Sequence, residues 1–181
     1  MSRKYQWVLG IVAILLLLSI GMHKARADMN VIIQGTIIEP TCSVTGMDGN
    51  SRTEVNFGNV PLDAVGTAQA QQPLRMKVAC YGAIPSGKTL KMYVKPVSNA
   101  TMAYSGRTVL GTSMTGLGID LADSNNREVT PQTWVDIAGV DTSTVPQAGE
   151  VTLRATLVSA NTAALTADGF TASVSVVMTY Q

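Results

Sequence analysis

The stretch Phe170-Thr171-Ala172-Ser173-Val174-Ser175-Val176-Val177-Met178-Thr179-Tyr180-Gln181 alternates with a period of two up to its penultimate residue. Phe170, Ala172, Val174, Val176, Met178 and Tyr180 share one face. Thr171, Ser173, Ser175 and Thr179 share the other, with Val177 as the one apolar exception. An extended chain sends successive side chains to opposite sides, so this pattern predicts a half-buried strand over 169–180. A second alternating row lies far upstream, in Met29, Val31, Ile33, Gly35 and Ile37.

Between these rows the apolar runs are short and are broken by Gly, Pro, Asn and Asp. They predict strands over 30–38, 42–46, 53–58, 73–80, 88–95, 115–122, 132–137, 150–160 and 169–180, and no segment keeps a helical apolar stripe. Leu74, Met76, Val78 and Cys80 form one inner row, with Arg75 and Lys77 facing out. Leu90, Met92 and Val94 form another, and Pro96 is expected to end that run. Leu117, Ile119 and Leu121 repeat the pattern, as do Leu153, Ala155 and Leu157. Residues 160–168 are expected to make a hairpin connection, and 97–115 a loop with room for a short edge strand. Such spacing points to a sandwich of two antiparallel sheets.

Residues 1–27 read as a signal peptide: Arg3 and Lys4 open it, Trp7 to Ile20 is mostly apolar, and Ala25-Arg26-Ala27 fits a small-x-small cleavage site. The alternative, an uncleaved anchor, has an apolar run short of the ~20 residues a membrane span needs. Four of the 13 basic residues (Arg3, Lys4, Lys24, Arg26) and the single histidine, His23, lie in this leader. Acidic residues therefore outnumber basic ones in the remainder, and no basic cluster is left to neutralise phosphates. That argues against nucleic-acid binding. Residues 28–181 suit one domain with a sizeable core and no mature membrane span.

Export would place the two cysteines, Cys42 and Cys80, in an oxidising compartment, where a pair normally closes a disulfide. Chain entropy puts the stabilisation of such a loop at roughly 3–4 kcal/mol, less any strain. Two free thiols, or half of a metal site, is the rival reading. A full metal site would lack histidine partners.

The two alternating rows pose a further question. A seven-stranded immunoglobulin-like sandwich needs a strand beside 169–180; if that segment is only the sixth strand, an apolar groove stays open. The 29–38 row would then be a surplus strand, and strand addition in trans would repair both defects. The plainer reading makes 29–38 the first strand of a complete domain. Alternation alone leaves both standing.

Five motifs, in order, carry a resemblance. They are Gly35-Thr36-Ile37-Ile38-Glu39-Pro40-Thr41-Cys42-Ser43-Val44; Val55-Asn56-Phe57-Gly58-Asn59-Val60; Gln72-Pro73-Leu74 with Val78 and Cys80; Gly118-Ile119 with Leu121; and Gly169-Phe170 with Ala172, closing on Met178-Thr179-Tyr180-Gln181. Together, behind a signal peptide, they resemble the pilus (fimbrial) subunits of the chaperone–usher pathway of Gram-negative bacteria, of the type 1 and P pilus kind. The resemblance covers essentially all of the mature chain.

It implies an all-β, incomplete immunoglobulin-like pilin sandwich, with a donor extension at 28–38 and the pilin domain at 39–181. Met29, Val31, Ile33, Gly35 and Ile37 would be the donor plugs, and Gly35 would pass where the groove is shallow. Gly169, Phe170, Ala172, Val174, Val176, Met178 and Tyr180 would border the receiving groove, with the Gln181 carboxylate as a handle for a chaperone. The implied partners are a periplasmic chaperone, an outer-membrane usher and neighbouring subunits. The implied role is structural, as a rod or minor subunit of a surface fimbria that supports adhesion, reached through the periplasm.

No catalytic role or cofactor is expected. No carboxylate pair is fixed by helix spacing, and Ser113 and Ser175 have no triad partner. The glycine-rich run Gly111 to Gly118 lacks the lysine of a phosphate loop, and reads as a turn-rich β-connection. The alternative role is a small adhesive module, carbohydrate- or receptor-binding, at or near a pilus tip. Trp134 and Tyr104 would be its contact residues, although a lone Trp in such a run is more often core.

Overall fold

The computed structural model describes residues 41–181. The 1–27 leader and the 30–38 strand, with Met29, Val31, Ile33, Gly35 and Ile37, lie outside the described residues. Two antiparallel sheets face each other. In the larger, β1 (Thr41–Gly46), β2 (Gln71–Tyr81), β9 (Gln147–Val158), β6 (Gly118–Asp123), β5 (Arg107–Gly111) and β4 (Thr101–Tyr104) are neighbours in that order, and β8 (Val140–Asp141) also pairs with β9. The smaller has the order β10 (Ser173–Tyr180), β3 (Leu90–Ser98) and β7 (Trp134–Asp136).

The period-two rows supply the core. Met76, Val78 and Cys80 of β2, Val151, Leu153, Ala155 and Leu157 of β9, and Ile119 and Leu121 of β6 point inward from the larger sheet. Leu90, Met92 and Val94 of β3 and Met178 and Tyr180 of β10 meet them from the smaller. Each of the valine, leucine, isoleucine and methionine side chains among them contributes roughly 1.5–3 kcal/mol on burial. Cys42 stands directly opposite Cys80, and the two form a disulfide with Cα atoms 4.0 Å apart, fastening the edge strand β1 to β2.

Several expectations are corrected. The 97–115 segment contains a hairpin, β4 and β5. Its turn residues Ser105 and Gly106 both have positive φ (49° and 77°), the geometry of a tight two-residue hairpin turn. β3 runs through Pro96 to Ser98. Pro96 faces Val174 where the register shifts, and β7 reaches only as far as Tyr93, so no ladder bond is asked of the missing N–H there. Residues 160–168 connect β9 to β10 across the two sheets, and are not a hairpin. Residues 53–58 alternate but form no strand. The last strand begins at Ser173, because its partner β3 stops at Ser98. Trp134 is 40% exposed, its ring 5.0 Å from that of Tyr93. β7 is a three-residue strand at the end of the smaller sheet, and on its outer face Trp134 packs against this cross-strand aromatic neighbour.

The end of β6 is held by a carboxylate. Buried Asp123 accepts hydrogen bonds from the Asn125 N–H, the Arg127 N–H and Arg127 Nε, each at 2.8 Å. Burial pushes this carboxyl up, but the Arg127 and Asn125 donors outweigh it and hold it below its ordinary value. A lowered folded pKa means stability that is complete above the ordinary carboxyl range near 4 and is lost as pH falls through the folded value. Asp123→Asn should therefore lose stability at neutral pH and flatten the acid limb of a denaturant-midpoint curve below about pH 4. An unchanged acid limb would contradict this account of the turn. Cys42→Ser and Cys80→Ser should lower the yield of folded protein equally; a non-reducing mass showing two free thiols in the unaltered chain would reject the bond.

Candidate functional site: an apolar groove beside the last strand

β10 has β3 along one edge and, among the described residues, no strand along the other. An unpaired edge leaves a row of N–H and C=O groups without ladder partners. Next to the start of this strand lies a groove of about 1120 Å³. Its floor comes from the larger sheet and its connections, chiefly Leu74, Leu110, Leu117, Ile119, Leu121 and Leu157. One lip is the segment 52–62, and the other is 165–174.

The lips are built differently. On the first, Val55, Phe57 and Val60 are half-buried, while Glu54, Asn56 and Asn59 are exposed. Phe57 and Val60 pack on the core. Among the described residues, the backbone of 52–60 makes no backbone hydrogen bond to another element. Its one local tie is from the Gly58 N–H to Asn56 Oδ1 at 2.7 Å, in a turn where Gly58 takes φ +64°, a left-handed conformation natural to glycine. The second lip is pinned at Thr171. The Ser113 N–H donates to Thr171 O (2.9 Å), the Thr171 N–H donates to Ser113 Oγ (2.9 Å), and Asn99 Nδ2 donates to Thr171 O (3.1 Å). Ser113 thus has a structural task in the glycine-rich connection between β5 and β6.

Gly169, Phe170, Ala172 and Val174 all line the groove. Burial increases along this face: Phe170, Ala172, Val174 and Val176 are half-buried, whereas Met178 and Tyr180 are closed into the core at 5% and 6% exposure. Burial raises the pKa of the Tyr180 phenol, whose hydroxyl finds no partner among the described residues. Gln181 is exposed, and its backbone exchanges two 3.0 Å hydrogen bonds with Thr89, extending the β10–β3 pairing to the final residue.

The floor is apolar and carries no titratable group. A half-buried apolar row beside a free strand edge suits one kind of guest, an extended chain whose alternate side chains are apolar. Val55 and Phe57 are legible as an alternating pair within 53–58, yet nothing in that run marks it as a lip. Leu165, buried at the start of the second lip, had no signal beyond its isolation among small polar residues.

The family model for fimbrial proteins matches residues 31–181. The uncharacterised fimbrial-like protein YfcR of Escherichia coli strain K12 is 31% identical over 145 residues, spanning 78% of this chain and 74% of that protein. The fold is similar to that of the P pilus rod subunit PapA (TM-score 0.56, 18% identity, 77% of this chain and 99% of that one). It is also similar to a subunit of a chaperone–usher pilus studied for rod uncoiling (TM-score 0.54, 14% identity, 86% and 97%). With its own sequence matched from residue 31 to its last, this chain belongs to the fimbrial protein family and is a structural subunit of pili, the surface appendages that family builds.

Proposed function

We propose that the chain polymerises by donor-strand exchange. Residues 28–38 of one copy or of a neighbouring subunit lie in the groove of the next, pairing with the free edge of β10. The observation that carries this reading is that edge, unpartnered among the described residues and set beside an apolar trough. The 52–60 lip fits the same reading. It has a strand's alternation and, among the described residues, no backbone hydrogen bond to another element, so an incoming strand would find a second backbone to pair with. Val31, Ile33, Gly35 and Ile37, led by Met29, are the plugs. Four or five apolar side chains entering such a trough contribute roughly 1.5–3 kcal/mol each before ordering costs.

Before assembly a periplasmic chaperone lends a strand to the same edge, with the exposed Gln181 carboxylate as its handle, and an outer-membrane usher oversees replacement. The subunit serves as a rod or minor component of an adhesive fimbria. A pairwise assay sorts these roles: preferred uptake of its own 28–38 peptide marks a rod protein, and exclusive uptake by other subunits' grooves marks an adaptor.

One observation favours a second, adhesive reading. The cross-strand row Val177–Tyr93–Trp134 puts two rings and a valine on the outer face of the smaller sheet. The Lys91–Asp136 ion pair (2.9 Å) lies in the next row. Saturable saccharide binding lost in Trp134→Ala would support that role.

Charge separates the faces of the donor strand. Ile33→Lys should abolish uptake of this subunit's extension by a neighbouring groove while leaving its own folding intact. Gln34→Lys, on the alternate face, should be tolerated. Incorporation of Ile33→Lys into fibres at the unaltered level would sink the assignment.

A further inference from the structure

We propose that Phe57 and Phe170 form an aromatic latch across the groove, and that opening this latch governs how fast a donor strand enters. The inference rests on the strand-exchange reading above. The chain has two phenylalanines, and the fold places one on each lip. Their ring centroids are 5.9 Å apart with planes tilted by 55°, within the range of favourable aromatic pairs. Both rings are half-buried and both line the groove, so these two side chains bridge the lips near their middles.

The two jaws differ in mobility. Phe170 precedes Thr171, which is fixed by Ser113 and Asn99 through three hydrogen bonds. Phe57 sits on the lip that, among the described residues, makes no backbone bond to another element, and is followed by Gly58, where an added Cβ would meet nothing within 4 Å. A segment so sparsely bonded belongs to the low-stability end of a structure. The 52–60 lip is therefore the moving jaw, Phe57 is its grip and Phe170 is the fixed catch. A strand that pairs with β10 on one side and with 53–58 on the other has to lie between the two backbones. The rings must part, or swing over the guest, before that pairing is complete.

The test follows uptake of a fluorescent synthetic 28–38 peptide by the mature chain in stopped flow. Losing one tilted aromatic contact corresponds to about a two- to tenfold change in rate. Phe57→Ala and Phe170→Ala should each speed uptake by that factor. The double variant should be no faster than either single one, because both remove the same contact. Phe57→Leu keeps apolar bulk without the ring and should behave as Phe57→Ala does, which covers the case where the alanine variant folds poorly. Uptake that is unchanged or slower in the single variants, or effects that multiply in the double variant, would overturn the latch and leave strand exchange standing. No saturable uptake by the unaltered chain would overturn both.

Discussion

The organising constraint is that backbone polar groups of a strand need partners. Among the described residues β10 satisfies this along β3 only, and a trough of leucine, isoleucine and phenylalanine side chains lies beside its start. Water can solvate the edge but gains nothing from the trough. An extended segment with alternating apolar side chains answers both demands at once, since its peptide groups complete the ladder while every second side chain leaves water. The rest of the fold serves to hold that edge and that trough in place.

Three devices do the holding. The disulfide ties β1 to β2, so the start of the domain stays on the larger sheet. The sealed end of the sandwich, where Met178 and Tyr180 are buried and Gln181 pairs with Thr89, anchors the last strand, with β1 close by. At the other end of the same face, Ser113 and Asn99 secure Thr171, which keeps Phe170 and Ala172 turned toward the groove. The last strand is thus firm at both ends and, among the described residues, without a partner strand along one side.

Much of this was legible in the residues. The inner rows of β2, β3, β6 and β9 are where alternation placed them, because a sheet buried on one face writes its period into the sequence. Periodicity reports which side of a segment is apolar, but it is silent on whether a partner strand lies beside it. Val55 and Phe57 therefore read as part of a paired strand over 53–58, whereas they line a lip. Nor does period assign a strand to a sheet, so 160–168 reads as a hairpin connection although it crosses between the sheets. Pro96 reads as a stop in the sequence because the pattern does not show that it faces Val174 at a register shift. Trp134 was weighted toward the core on residue type, although the cross-strand row with Tyr93 and Val177 gives both it and the odd apolar Val177 a common place on the outer face. The hairpin of β4 and β5 was hidden because its short strands carry little apolar pattern, leaving only Ser105-Gly106 as a cue.

The central claim is that β10 keeps one edge free until another chain supplies a strand. Amide hydrogen exchange along 173–180 tests it most directly, measured on the mature chain before and after addition of the 28–38 peptide. Amides of β10 bonded to β3 should be protected throughout. Those facing the other way should exchange quickly at first and become protected once the peptide is bound. Full protection of both sets in the chain alone, as monomer, would contradict the account.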